Sequence, residues 1–227
     1  PIITGITQGT VTRENVALSF NDGTGVLDGS AFSSGETVAS EGGHTLTVTD
    51  ATGNTSNVTF TIDKTPPVVL GVVHNAIQNT SVSPTFTGGT ATLNGNLFLS
   101  GTTVGAEGFY TLVATDEAGN STQVIFTLDF TAPAVGGVVD GVVTNSSFTP
   151  TFSDGTATLN SQSFLSGTQV SAEGAYTLVA TDVAGNSTLV AFTIDRTPPL
   201  VIGVANNAFY RFSVSPIFGE GTGTLNG

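Results

Sequence analysis

The sequence contains no cysteine, no methionine and no tryptophan. Without cysteine there is no disulfide framework, no thiolate metal site and no cysteine nucleophile, so the chain must hold itself together by packing. Without tryptophan, and with most phenylalanines at recurring core positions, a stacking platform for sugar rings has little to build on. Basic residues are scarce: four Lys plus Arg stand against 17 Asp plus Glu, for a formal net charge of −13. Arg13, Lys64, Arg196 and Arg211 are scattered, which rules out the basic footprint that nucleic acid requires and argues against anionic membranes. Lys64 is the only lysine, so a series of Lys–Asn crosslinks is excluded. No apolar run reaches membrane length, and no membrane insertion is expected in this segment.

What the chain has instead is a repeat. Asp63, Asp129 and Asp195 close near-identical segments reading Phe-Thr-(Ile/Leu)-Asp-x-Thr-(Pro/Ala)-Pro at a fixed spacing of 66 residues. The same register carries Phe20, Phe86, Phe152 and Phe218, then Glu41, Glu107 and Glu173, without insertions. Fixed-period self-similarity marks an array of modules. Pro1, Pro67, Pro133 and Pro199 are in register, which gives whole repeats at 1–66, 67–132 and 133–198 and the opening of a fourth at 199–227. The expectation is a window on a longer array, the fourth repeat being completed by more chain or, alternatively, by strands of an identical subunit in a filament. The 38% hydrophobic content is ordinary for a globular chain, and 66 residues is near the lower limit for an independent core.

The periodicity is that of strands throughout. Tyr110 to Thr115 alternates with period two, as does Val124 to Leu128, and between them Asp116-Glu117-Ala118-Gly119-Asn120 reads as a tight turn. Gly119 and Asn120 are expected to supply positive φ there, and Asp116 to cap the turn with its carboxylate. The inward set of the last strand is Val58, Phe60 and Ile62, then Val124, Phe126 and Leu128, then Val190, Phe192 and Ile194. An Asn94-Gly95 turn and further Gly turns mark the shorter strands upstream. Each repeat thus has about six or seven strands, so the fold class is all-β, tandem immunoglobulin-like β-sandwiches in an extended array.

The run Glu107-Gly108-Phe109-Tyr110-Thr111-Leu112-Val113-Ala114-Thr115-Asp116-Glu117-Ala118-Gly119-Asn120, ending in Phe126-Thr127-Leu128-Asp129, resembles the bacterial immunoglobulin-like repeats of large surface proteins and adhesins. Repeat three matches as closely, through Glu173-Gly174-Ala175-Tyr176 and Asp182-Val183-Ala184-Gly185-Asn186; repeat one departs, with His44 at the Tyr position and Thr52 for Ala. The resemblance implies a spacer, stalk or fibre-forming segment of a microbial surface protein, extracellular, with neighbouring repeats of the same chain as its partners. The Thr65-Pro66-Pro67 joint agrees with that, since consecutive prolines limit the freedom between modules. With strands rising about 3.3 Å per residue, each repeat would add roughly 30–40 Å.

One constellation at the joints is a candidate metal site. Glu41 precedes the penultimate strand and Asp63 follows the last, so the hairpin returns both to one end of repeat one, while Asp116 heads the opposing turn of repeat two. Glu107, Asp129 and Asp182 repeat the arrangement at the next joint. Carboxylates from two modules, with carbonyls and water, match the oxygen shell of Ca²⁺, and the set resembles the calcium-stiffened joints of cadherins and some adhesin extenders. Turn capping accounts for the same carboxylates without an ion and is the preferred reading. Asp22, Asp28 and Asp154 are read as solvated turn residues. Tyr110 and Tyr176 share the inward face with Leu112 and Leu178 and are read as core tyrosines with a corner-type hydroxyl bond.

Catalysis is not expected, because His44 and His74 do not recur and no nucleophile, base and acid set rises above the repeat pattern. The alternative function class is an accessory module, binding glycan or protein, on a secreted multidomain enzyme. Asn54, Asn79, Asn120, Asn145 and Asn186 open Asn-x-Ser/Thr sequons, a weak signal in turns where Asn is common.

Overall fold

The computed structural model describes residues 1–225, and the expected turn at Asn226-Gly227 lies outside them. Every regular element among the described residues is a strand, and the protein is all-β. The chain divides into two compact units, Pro1–Thr131 and Ala132–Gly227.

The first unit holds two sandwiches. The first comprises β1 (Ile3–Thr4), β2 (Thr10–Thr12), β3 (Val16–Ala17), β4 (Ser19–Phe20), β5 (Thr24–Leu27), β6 (Ser30–Phe32), β7 (Thr37–Val38), β8 (Gly42–Thr49) and β9 (Thr55–Ile62). The second comprises β10 (Val69–Leu70), β11 (Ala76–Gln78), β12 (Thr85–Phe86), β13 (Thr90–Leu93), β14 (Asn96–Phe98), β15 (Gly108–Thr115) and β16 (Ser121–Leu128). The second unit contains β17 (Val135–Gly136), β18 (Val142–Thr144), β19 (Thr151–Phe152), β20 (Thr156–Leu159), β21 (Gln162–Phe164), β22 (Gly174–Thr181) and β23 (Ser187–Ile194), then β24 (Val201–Ile202) and β25 (Ile217–Phe218).

Each complete module is an immunoglobulin-like sandwich whose larger layer is a five-stranded sheet, ordered β2-β9-β8-β5-β6, β11-β16-β15-β13-β14 and β18-β23-β22-β20-β21. The smaller layer is made of two-residue ribbons such as β1-β4, β10-β12 and β17-β19. The backbone of the larger layer is the long hairpin, in which Leu112 pairs with Val124 and Tyr110 with Phe126. Alternation sends Leu112, Ala114, Val124, Phe126 and Leu128 into the core and leaves the intervening threonines half-buried at the surface. Each large side chain so buried contributes about 1.5–3 kcal/mol. Separate cores occupy the first module, around Leu46, Phe60 and Ile62, and the third, around Leu178, Phe192 and Ile194.

Two features differ from the expectation. The first and last strands of each sheet pair in parallel, Ala76 beside Phe126 and Gln78 beside Leu128, although everything else in the sheet is antiparallel. The first module is also cut into nine strands where six or seven are expected, because Val16 and Ala17 pair with Val38 and Thr37 as a ladder. Leu18 extends that contact by donating its N–H to Glu36 O at 3.0 Å. In the later modules proline stands at the Leu18 position, Pro84 and Pro150, and has no N–H to give. The ladder there shrinks to the single bridges Val82–Val104 and Phe148–Val170.

Turn chemistry is as the residue types require. Asn94 and Gly95 take φ of 49° and 80°, the left-handed pair of a two-residue hairpin. Gly89 lies against the start of the hairpin turn; a Cβ there would sit 1.9 Å from Thr115 O. In the opening of the fourth repeat β24 and β25 pair as β10 and β12 do, with Val201 opposite Phe218, and Val201, Ile202 and Ile217 remain exposed.

Candidate functional site

The joint between the first two modules is built from the recurring residues. The chain leaves β9 with Asp63 donating its N–H to Thr12 O at 2.9 Å, which ties the strand end to β2. Asp63 Oδ1 accepts from the Thr65 amide at 3.0 Å, and Glu41 Oε1 accepts from the Lys64 amide at 3.2 Å and the Thr65 hydroxyl at 2.5 Å. Lys64 Nζ donates to Asn15 Oδ1 and to Ala39 O, at 2.8 and 2.7 Å. The linker is therefore strapped to the end of the first module before Pro66 and Pro67 turn it into the second.

The second module reaches back. Asp116 Oδ1 accepts from the Asn120 amide at 2.8 Å and Asp116 Oδ2 from Asn120 Nδ2 at 3.0 Å, so the predicted turn cap is present. Asn120 Nδ2 also donates to Asp63 O at 2.7 Å, across the joint. Arg13 of the first module donates to Gly119 O at 2.8 Å, and Thr122 Oγ1 donates to Pro67 O at 2.5 Å. Gly119 carries the positive φ of this turn, 88°, but Asn120 does not; its contribution is a buried side chain that closes the joint. The recurrence of Asn at 54, 120 and 186 was the available signal for this role.

The electrostatics follow the same contacts. The Thr65 hydroxyl, with the Lys64 amide, holds the Glu41 carboxyl below the usual glutamate range. Partial burial would raise Asp116, but the Asn120 side chain and the turn amides outweigh it and leave the carboxyl below its ordinary value. Asp182, capped by Asn186 in the same way, is lowered for the same reasons.

Of the six carboxylates expected to ligate an ion, Glu41, Asp63 and Asp116 belong to this joint, and Asp63 and Asp116 line one shallow cleft with Thr65, Pro66, Pro67, Val68, Thr87 and Gly88. Glu107 and Asp129 belong to the first unit and clasp Thr131, whose hydroxyl lies 2.9 and 3.0 Å from the Glu107 oxygens and whose amide lies 3.1 Å from Asp129 Oδ1. Asp182 belongs to the second unit. Among the described residues no group of three or more histidines and carboxylates gathers to hold a metal. In the first joint protein donors hold Asp63 Oδ1, Glu41 Oε1 and both Asp116 oxygens, and the Asn120 group turned to the Asp63 carbonyl is a donor, not a ligand.

The tyrosines are core residues, as expected. Tyr110 stacks on Phe126 with centroids 5.2 Å apart and donates its hydroxyl to Ala106 O at 2.8 Å; Tyr176 stacks on Phe192 and donates to Ala172 O at 2.9 Å. His44 takes the same place over Phe60, its Nε2 2.9 Å from Ser40 O and its Nδ1 2.6 Å from Asp28 Oδ2. Asp28 is thus paired, which corrects its reading as a merely solvated turn residue. The order Asp28–His44–Ser40 is not a catalytic triad, because the ring faces the Ser40 carbonyl and not its hydroxyl.

No protein-family model matches the chain, and no curated protein does. Among solved structures, the chain is similar to a Bacteroides ovatus surface glycan-binding protein, SGBP-B of the mixed-linkage glucan utilization locus, solved with a mixed-linkage heptasaccharide, at 16% identity over 85% of this chain and 67% of that one, with a TM-score of 0.20. It is similar to part of a 1.5-MDa bacterial ice-binding adhesin at 18% identity over 78% and 87% of the two chains, TM-score 0.23. A Ca²⁺-stabilized adhesin of an Antarctic bacterium aligns at 20% identity over 88% and 75%, TM-score 0.22.

Proposed function

We propose that this chain is a spacer segment in the stalk of a long extracellular microbial surface protein, built of modules at 1–66, 67–132 and 133–198 with 199–227 opening a fourth. The observation that carries this reading is the hydrogen bond from Asn120 to the Asp63 carbonyl, with Arg13 of the first module donating to Gly119 O beside it. Asn120 is spent on seating one module against the next, which is what a spacer needs and a binding or catalytic cleft does not. Its partners are the neighbouring repeats of its own chain.

Small-angle scattering on the full chain tests the stalk. Three modules in line give a particle roughly 90–120 Å long, and a radius of gyration near the ~17 Å of a compact chain of this length would refute it.

Calcium at Glu41, Asp63 and Asp116, and at Glu107, Asp129 and Asp182, is the second reading, favoured only by the cleft that Asp63 and Asp116 share. Thermal unfolding with millimolar Ca²⁺ and with chelator decides it, since an ion bound by the folded state alone must raise the midpoint. Identical melts leave a hydrogen-bonded, proline-stiffened joint.

A further inference from the structure

The first module departs from the other two at a pair of positions, and the departure is coordinated. At the turn after β5, β13 and β20 stand Asp28, Asn94 and Asn160; at the ring position on β8, β15 and β22 stand His44, Tyr110 and Tyr176. In all three modules the turn residue uses Oδ1 alike, accepting from the Thr45, Thr111 or Thr177 amide at 2.8 Å. The other atom differs. Asn94 and Asn160 send Nδ2 to a strand carbonyl, Phe109 O and Ala175 O, whereas Asp28 turns Oδ2 to His44. The amide and phenol of modules two and three are replaced by a carboxylate and an imidazole in module one.

The ring is 7% exposed, lies tilted against Phe60, and both its nitrogens face acceptors. Ser40 O can only accept, so Nε2 must carry a proton, and a carboxylate at 2.6 Å requires a proton on Nδ1 as well. Only the imidazolium satisfies both bonds; either neutral tautomer leaves a nitrogen lone pair against an oxygen inside the module. The groups packed on the ring are Asp28 from the β5–β6 turn, Ser40 from the loop before β8 and Phe60 from β9, and the charge acting on it is that of Asp28.

We propose that the Asp28–His44 pair makes the first module the pH-responsive member of the array, firm when His44 is charged and loosened when it loses its proton. Burial opposes the charged ring, but the bonds to Asp28 and Ser40 outweigh it and hold His44 above its ordinary value. A histidine so raised contributes stability that is whole below about pH 6.5, its unfolded value, and is lost as pH rises through the folded value. On the acid side, burial would raise Asp28, but His44 and the Thr45 amide hold it below its ordinary value, and its contribution is lost only as pH falls through that lowered value. The module is therefore firmest between the two. Modules two and three carry Asn and Tyr at these positions, without the carboxylate–imidazole pair.

The test compares the full chain with the double variant Asp28→Asn/His44→Tyr, which installs the pair that the other two modules already fold with. Thermal unfolding is followed from pH 5.5 to 8.5, with ¹⁵N shifts of labelled histidine read in parallel on the native chain. The expected result is a first transition whose midpoint falls by about 4 °C or more across that range, a slope absent from the double variant, and a His44 ring protonated on both nitrogens at pH 6.5. A slope that survives in the double variant, a native chain with no slope, or a His44 that is a neutral tautomer at pH 6.5 overturns the proposal.

Discussion

The side-chain amide of Asn120 donates at 2.7 Å to the main-chain carbonyl of Asp63, so a turn residue of the second module holds the residue that ends the first. The same nitrogen is bonded to Asp116, and the side chain is buried. One residue therefore couples the shape of a turn to the seating of its neighbour.

Replacing Asn120 by Ala removes both bonds and leaves Asp63 O and Asp116 Oδ2 short of a donor, at an expected cost of about 1–3 kcal/mol. Limited proteolysis at the Asp63–Pro67 linker is expected to quicken together with a lower thermal midpoint. A variant with unchanged cleavage and unchanged melting would show that the joint is held elsewhere.

Tyr110→Phe keeps the stack on Phe126 and deletes the hydroxyl bond to Ala106 O. The expected loss is about 0.5–1.5 kcal/mol, read as a shift in denaturant midpoint without a change in slope. Tyr176→Phe is expected to match it, because Ala172 plays the same part in its module.

At the hairpin tip of the third module, Asn160 and Ser161 take φ of 48° and 66°, where the other modules place Gly29 and Gly95 second. A left-handed non-glycine residue costs about 1–2 kcal/mol, and glycine returns about 0.5–1 kcal/mol of that as chain entropy in the unfolded state. Ser161→Gly is thus expected to stabilise the second unit by up to about 1 kcal/mol, and calorimetry that finds destabilisation would contradict the geometry.

Acid loosens the joint by a separate route. Glu41 and Asp116 are held below their ordinary values by the hydroxyl and amide donors around them. Carboxyls so lowered contribute stability above their unfolded values, about 4, and lose it as pH falls through the folded ones. Linker cleavage by an acid-active protease is expected to rise below about pH 4; Thr65→Val, which takes the hydroxyl from Glu41, moves that onset to higher pH.

Much of this architecture was legible in the sequence because it is local. The hairpin, its inward residues and the Asn94-Gly95 turn follow from alternation and turn chemistry within about 20 residues. The parallel seam was not, because Ala76 and Phe126 meet by tertiary packing across the module and carry no joint signature. Asn120 was assigned a backbone role when its side chain does the work, since Asn in a turn fits either. Asp28 and His44 look unremarkable singly, and only the repeat register, in which both positions change together, exposes them as a pair. The donors on Glu41 and Asp116, Thr65 and Asn120, come from loop geometry that the spacing of the carboxylates does not give.

The parallel seam also sets how a module answers to load. Ala76–Gln78 lies near the entry of its module and β16 is the last strand before the exit, and they run side by side in the same direction. Tension applied through the two ends drags one strand along the other, so their bonds are strained together in shear and must give way together. An antiparallel terminal pair would instead be opened from one end, bond after bond. Load borne by this seam is thus shared among its bonds rather than passed from one to the next.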